Sequence, residues 1–149
     1  MKRNRKLLLA IAVVAVCGAL VATYDFIARL LHVPLFCPFA GNGCDIVQDS
    51  PYAVVFGVPL SFLGIIGFAS YVLFSCLATR SNENQRQYLF ILAAIGAAQL
   101  SGMAYFSYIE LTVIRAVCSI CVFSAVLHVA LAVLILLAIR KISAEARAA

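Results

Sequence analysis

Apolar side chains in this chain gather into four long runs, at about residues 7–27, 58–78, 88–108 and 117–139, each bounded by polar or basic positions. None of the runs alternates with period two, and each is apolar around the whole circumference of a helix, so helices rather than strands are indicated. About 20 helical residues cross a hydrocarbon layer of ~30 Å, and each run reaches that length. Tilted barrel strands would need only about 10 residues of alternating character. The pattern predicts an all-α integral membrane protein: one domain over residues 1–149, folded as a four-transmembrane-helix bundle with one long external loop at 32–57.

That loop, His32 to Gly57, is interrupted by Pro34, Pro38, Gly41, Asn42, Gly43, Pro51 and Gly57, which break regular structure repeatedly. A connection of this length is usually functional or disordered. Its apolar residues, among them Leu35, Phe36, Phe39, Val47 and Phe56, argue against disorder and for a loop that folds down on the bundle. Asp45 to Gln48 is expected to start a short interfacial helix that Ser50 and Pro51 end.

Composition agrees with this picture, because 65% hydrophobic against 11% charged residues and a mean hydropathy of +1.08 do not suit a soluble core of 149 residues. Charge adds orientation. Lys2, Arg3, Arg5, Lys6, Arg80, Arg86, Arg140, Lys141 and Arg147 lie at the termini and in the second-to-third connection, whereas Arg29 and Arg115 lie on the other side. The positive-inside bias puts both termini and Ser81 to Gln87 in the cytoplasm, and the long loop and the short Glu110 to Ala116 turn outside. The net charge of +5 is thereby accounted for by topology and gives no support for nucleic-acid binding. A cleaved signal peptide is the alternative for the first run. Its apolar core, however, exceeds the roughly 7 to 15 residues of such segments, and no small-x-small site precedes Thr23. Val16 likewise disfavours a lipidated Cys17.

Two cysteine pairs fall on the outer side: Cys37 and Cys44 in the loop, and Cys118 and Cys121 as a CxxC at the start of the last helix. The CxxC sulfurs sit one turn apart on one face, where exposed backbone amides stabilise negative charge on sulfur, and Arg115 is placed to add to that effect. The segment between Cys37 and Cys44 contains Asn-Gly and a second glycine, which allow tight closure and movement. Thiol–disulfide exchange needs direct contact between sulfurs, so a relay requires the loop to reach both a partner and the CxxC. Stable bridges, or a zinc site made of all four thiolates, are the competing readings. Cys17 and Cys76, within spans and without partners, read as small buried hydrophobes.

The run Cys44-Asp45-Ile46-Val47-Gln48-Asp49-Ser50-Pro51-Tyr52-Ala53, followed by Phe56-Gly57-Val58-Pro59 and later by Cys118-Ser119-Ile120-Cys121, resembles the bacterial form of the vitamin K epoxide reductase (VKOR) family over essentially the whole chain. The resemblance implies a four-helix bundle around a quinone site, with Cys118 and Cys121 as the active-site dithiol, Cys121 facing the quinone, and Cys37 and Cys44 as the shuttle pair. It further implies a thiol:quinone oxidoreductase that reoxidises a thioredoxin-fold (DsbA-like) partner outside the bacterial cytoplasmic membrane, in support of disulfide formation in exported proteins. Because the sequence stops at Ala149 without a thioredoxin-like domain, that partner is expected in trans. Animal enzymes carry a tyrosine four residues after the last CxxC cysteine; Ala125 stands there here, pointing to ubiquinone or menaquinone rather than vitamin K epoxide.

For the quinone, Ser50 and Phe56 are candidates by motif, and Gln99, Ser101 and Tyr105 by chemistry. No metal is expected. His128 lies seven residues after Cys121, on nearly the same face but ~10 Å deeper, and reads as packed and hydrogen-bonded. Asp25 and Glu110 read as solvated helix ends. A small four-span transporter or structural protein with stapled loops is the rival from another class. Such transporters usually carry a charged residue at mid-span, and here only His128 comes close.

Overall fold

The structure, a computed structural model, describes residues 2–81 and 83–148, with the side chains of Lys2, Arg3, Glu145, Ala146 and Ala148 outside the described set. Met1, the Lys2 and Arg3 side chains of the basic N-terminal cluster, Asn82 of the second-to-third connection, and Ala149 thus lie outside the described residues.

Four helices are long and apolar enough to cross a membrane: α1 (Lys2–Leu30), α3 (Leu60–Arg80), α4 (Gln85–Ile109) and α5 (Ser119–Ala148), with the short α2 (Gly43–Gln48) between the first two. The four-helix membrane fold expected from the hydropathy pattern is therefore present. α1 packs along α3 and α5, and α4 along the same two, so α1 and α4 sit on a diagonal. The up-down order puts the start of α1, the end of α5 and the α3–α4 junction at one end, and the cysteine-bearing segments at the other.

The second span begins at Leu60 rather than at Val58. Pro59 is extended (φ −61°, ψ 139°) and precedes the first helical residue, a position where its missing N–H costs no helical hydrogen bond. Val54–Val55 and Val58–Pro59 instead pair as a two-residue-turn hairpin, with Phe56 (φ 51°) and Gly57 (φ 82°) both left-handed at its tip. A primed turn needs positive φ at both central positions; glycine takes it freely and phenylalanine does not.

At the third span the correction is larger. Glu110 to Ile114 is wound as a π-helical extension of α4 rather than as a simple turn, and it ends at Arg115 in the left-handed region (φ 57°), whose N–H bonds back to the Glu110 carbonyl. The wider turn carries Glu110 inward, where it is 4% exposed.

The main core uses one stripe from each helix: Leu8, Ile11 and Ala15 of α1, Phe68, Tyr71 and Ala78 of α3, Leu89 and Leu92 of α4, Leu131, Ile135 and Ala138 of α5. These follow the three- and four-residue spacing of a helix face. Gly18 lets α1 approach α3 closely: a Cβ there would penetrate the Phe68 ring. Cys17 and Cys76, expected to be buried, are both exposed on the outside of the bundle, where a lipid-facing thiol is as well accommodated as a packed one.

Candidate redox site

A second, smaller core closes the cysteine end of the bundle: Ala28, Leu35, Cys44, Val47 and Cys118 are buried together, with Cys37, Ile120 and Cys121 packed against them. The loop therefore folds down on the bundle through Leu35 and Val47, while Phe36, Phe39 and Phe56 project outward. Two devices hold it there. The Leu35 amide donates to Asp45 Oδ1 at 2.9 Å, which ties the start of the loop to α2. The Ser119 hydroxyl donates to the Pro38 carbonyl, which ties the Cys37–Cys44 loop to the first turn of α5.

Cys37 and Cys44 form a disulfide with Cα atoms 5.8 Å apart; Cys118 and Cys121 are free. Cys37 Sγ lies 3.6 Å from Ser119 Oγ, inside the CxxC itself. Gly43 makes the approach possible, since a Cβ at that position would overlap the Val117 carbonyl just ahead of Cys118. All four outer cysteines are thus gathered at one place, and an all-thiolate zinc site is incompatible with the Cys37–Cys44 bond.

Cys118 stands immediately before the first residue of α5, and its sulfur accepts the Cys121 backbone N–H at 3.2 Å. Sulfur replaces the oxygen of an ordinary helix cap, so the aligned amide dipoles favour negative charge on it. Arg115 is exposed; its role here is in the backbone turn described above. Glu110 supplies the carboxylate beside the thiols instead. Its oxygen and the two sulfurs all lie within 4.8 Å of one another, and Glu110 Oε1 has no hydrogen-bond partner. Among the described residues, Glu110, Cys118 and Cys121 form the one group of ligand-type atoms close enough together to hold a metal ion.

Below the dithiol lies a cavity of about 330 Å³, reached by Cys121 and lined by Ala22, Leu60, Leu63, Gly64, Phe68, Met103, Phe106 and Ile120, with Asp25, Gln48, Ser61, Gln99, Ser124 and His128 as its polar groups. Volume and lining suit a flat, mostly apolar ring system with a few oriented polar contacts. His128 Nδ1 bonds to the Ser124 carbonyl at 2.8 Å, and a carbonyl only accepts, so Nδ1 carries the proton. Nε2 of the neutral ring meets the end of the Gln99 amide at 2.7 Å, which assigns the amide nitrogen to that contact. Phe68 packs on the same imidazole with ring centroids 4.5 Å apart. His128 is therefore packed and hydrogen-bonded, as expected.

Several candidates fall elsewhere. Ser50 donates to the Val47 carbonyl at 2.7 Å and Phe56 is fully exposed at the hairpin tip; neither lines the cavity, because the primed turn swings Phe56 outward. Ser101 bonds within its own helix to Ala97 and Tyr105 is exposed, whereas Gln99 does line the cavity. Asp25 and Glu110 are not solvated helix ends. Asp25 is 5% exposed and accepts a 2.7 Å bond from Gln48 Nε2, while Arg29 Nη1 donates to the Gln48 carbonyl at 2.6 Å and to its Oε1 at 3.2 Å. Gln48 thereby links the Arg29 cation to a buried carboxylate. Ser61 Oγ and Asp25 Oδ1 are buried in the cavity wall without partners. The sequence signal for Asp25 and Arg29 was their four-residue spacing on one face of α1; nothing local pointed to Gln48 or Ser61.

The sequence profile of the "Vitamin K epoxide reductase family" matches residues 7–136. The chain is also similar to "Thiol-disulfide oxidoreductase LTO1" of Arabidopsis thaliana, with 38% identity over 104 residues, 64% of this chain and 27% of the plant protein. It thus spans about a quarter of that relative's length. A family match over most of the chain, four membrane-spanning helices and two cysteine pairs brought to one end establish that this protein belongs to the vitamin K epoxide reductase family.

Proposed function

We propose that this protein is a membrane thiol:quinone oxidoreductase that reoxidises an external thioredoxin-fold, DsbA-like partner and passes the electrons through Cys37/Cys44 and then Cys118/Cys121 to a respiratory quinone, ubiquinone or menaquinone. The carrying observation is the juxtaposition of the loop disulfide with the CxxC, whose second cysteine faces an apolar cavity. Family membership, and kinship to a protein named as a thiol-disulfide oxidoreductase, support the reaction class.

Each residue then has a role. The partner's dithiol attacks the Cys37–Cys44 disulfide, forming a mixed disulfide and then two loop thiols. The loop dithiol reduces an oxidised Cys118–Cys121 pair by the same exchange, with Cys118 as the sulfur that meets the loop because both it and Cys44 are buried in the shared cluster. Cys121 faces the acceptor. Two electrons and two protons leave the CxxC, one S–S bond forms, and the quinone becomes a quinol. Ser61 and the Gln99 amide are the donors the cavity offers to quinone carbonyls, while Phe68 and Phe106 supply its aromatic walls. Each exchange is reversible, and about 30 mV between couples corresponds to ~1.4 kcal/mol for two electrons, so the quinone pool sets the direction. The basic termini favour a bacterial cytoplasmic membrane in which the termini are cytoplasmic and the sulfurs external, so that the exported proteins receiving disulfides are on the sulfur side.

The test is thiol trapping during turnover. Cys37→Ala or Cys44→Ala is expected to stop transfer from a partner dithiol to added quinone while the protein stays folded, and Cys121→Ser to abolish quinone reduction. Unchanged turnover in the loop variants would remove the shuttle role, and retained quinone reduction in Cys121→Ser would move the donor elsewhere.

A further inference from the structure

Glu110 is an expensive residue to keep where it stands. It is 4% exposed, one carboxylate oxygen is buried without a hydrogen-bond partner, and among the described residues no cation pairs with it. Burying a carboxylate without compensation costs several kcal/mol, so an apolar side chain would stabilise this position better. The π-helical turn directs it inward all the same, to within 4.8 Å of both Cys118 Sγ and Cys121 Sγ. The two sulfurs are not equivalent there: Cys118 already receives the Cys121 backbone N–H, whereas Cys121 has no backbone donor among the described residues.

We infer that Glu110 is the proton acceptor for the Cys121 thiol when the CxxC is oxidised. This rests on the proposed dithiol chemistry and assigns it a catalytic residue that the motif does not contain. As electrons leave Cys121 for the quinone, the S–H bond breaks and its proton passes to a Glu110 carboxylate oxygen. The Cys118 sulfur then bonds to Cys121 and releases its own proton. The quinone, the two-electron oxidant, takes two protons from the medium to become quinol, and Glu110 returns its proton to the medium. The carboxylate ends unchanged, and both thiol protons are accounted for. A positioned base of this kind contributes roughly 10²- to 10⁴-fold.

The experiment uses the full-length protein in detergent, fully reduced and freed of reductant, mixed with a short-chain ubiquinone analogue while quinol formation is followed through the first turnover. Glu110→Gln is expected to slow that turnover about 100-fold at neutral pH. Its rate should recover as pH rises and hydroxide replaces the missing base, with quinone affinity unchanged. Glu110→Asp should retain most of the rate. Turnover within twofold of wild type in Glu110→Gln, or a loss in Glu110→Asp as deep as in Glu110→Gln with no recovery at high pH, would overturn the inference. Should Glu110→Gln not fold, Glu110→Ala with and without added formate decides: rescue by the small carboxylate supports the role, and its absence refutes it. A Cys121→Ser protein that still reduces quinone would instead sink the underlying dithiol assignment, which keeps the two failures distinct.

Discussion

Gly43 offers the sharpest test of whether the loop and the CxxC communicate by contact. A Cβ at this position would overlap the Val117 carbonyl oxygen, lie 3.2 Å from the Val117 carbonyl carbon and 3.4 Å from Ala40 Cβ. The obstructing atoms belong to the backbone directly ahead of Cys118, so they cannot swing aside as a flexible side chain would. Carbon atoms prefer separations of about 3.5 Å or more, so Gly43→Ala must move the loop and the CxxC apart by on the order of 1 Å. Local conformation is not the issue, because Gly43 opens α2 with a negative φ and alanine favours helix. A misplacement of ~1 Å in a reacting pair costs on the order of 100-fold in rate, equivalent to ~2.7 kcal/mol. Fully reduced protein carries four electrons and should form quinol in two phases: one from the CxxC, and one that waits for the loop dithiol to reduce it. Gly43→Ala is expected to leave the first phase unchanged and slow the second about 100-fold. A second phase within a few-fold of wild type would refute the contact argument, and equal slowing of both phases would show that the damage is not local to the exchange.

Gly67→Ala places a Cβ 2.7 Å from the nearer terminal atom of the Gln99 amide. It should displace that amide from His128 and raise the quinone KM roughly three- to tenfold, the value of one hydrogen bond, while helix propensity keeps the melting temperature level or higher. Gln48→Leu strips the buried Asp25 carboxylate of its hydrogen bond and should cost about 3 kcal/mol, read as a lowered melting temperature in detergent. Adding Asp25→Asn to that variant should restore part of the loss, and a double variant less stable than Gln48→Leu would contradict the proposed pairing.

What could be read from residues alone was what depends on local sums. Hydropathy accumulated over some 20 residues locates a span without reference to any neighbour, so the four membrane helices were legible. Cys37, Cys44, Cys118 and Cys121 stood out because their spacing carries chemistry by itself. Burial within the bundle was not legible. Spans apolar on every side present the same character to lipid and to a neighbouring helix, which is why Cys17 and Cys76 were misread and why the stripe through Phe68 and Tyr71 could not be singled out. The fates of Asp25 and Glu110 were decided only by tertiary structure: one is held by a glutamine 23 positions away, and the other is turned inward by a π-helical winding that its polarity alone would have predicted as an exposed turn. The missing Cβ of Gly43 has no meaning until the Val117 carbonyl is set against it. Sequence determined that four helices are long and apolar enough to cross a membrane and that two cysteine pairs lie between them, because those properties can be read along the chain. The folded structure decided which carboxylate, amide and glycine surround that sulfur, because such contacts arise only between segments far apart in the chain.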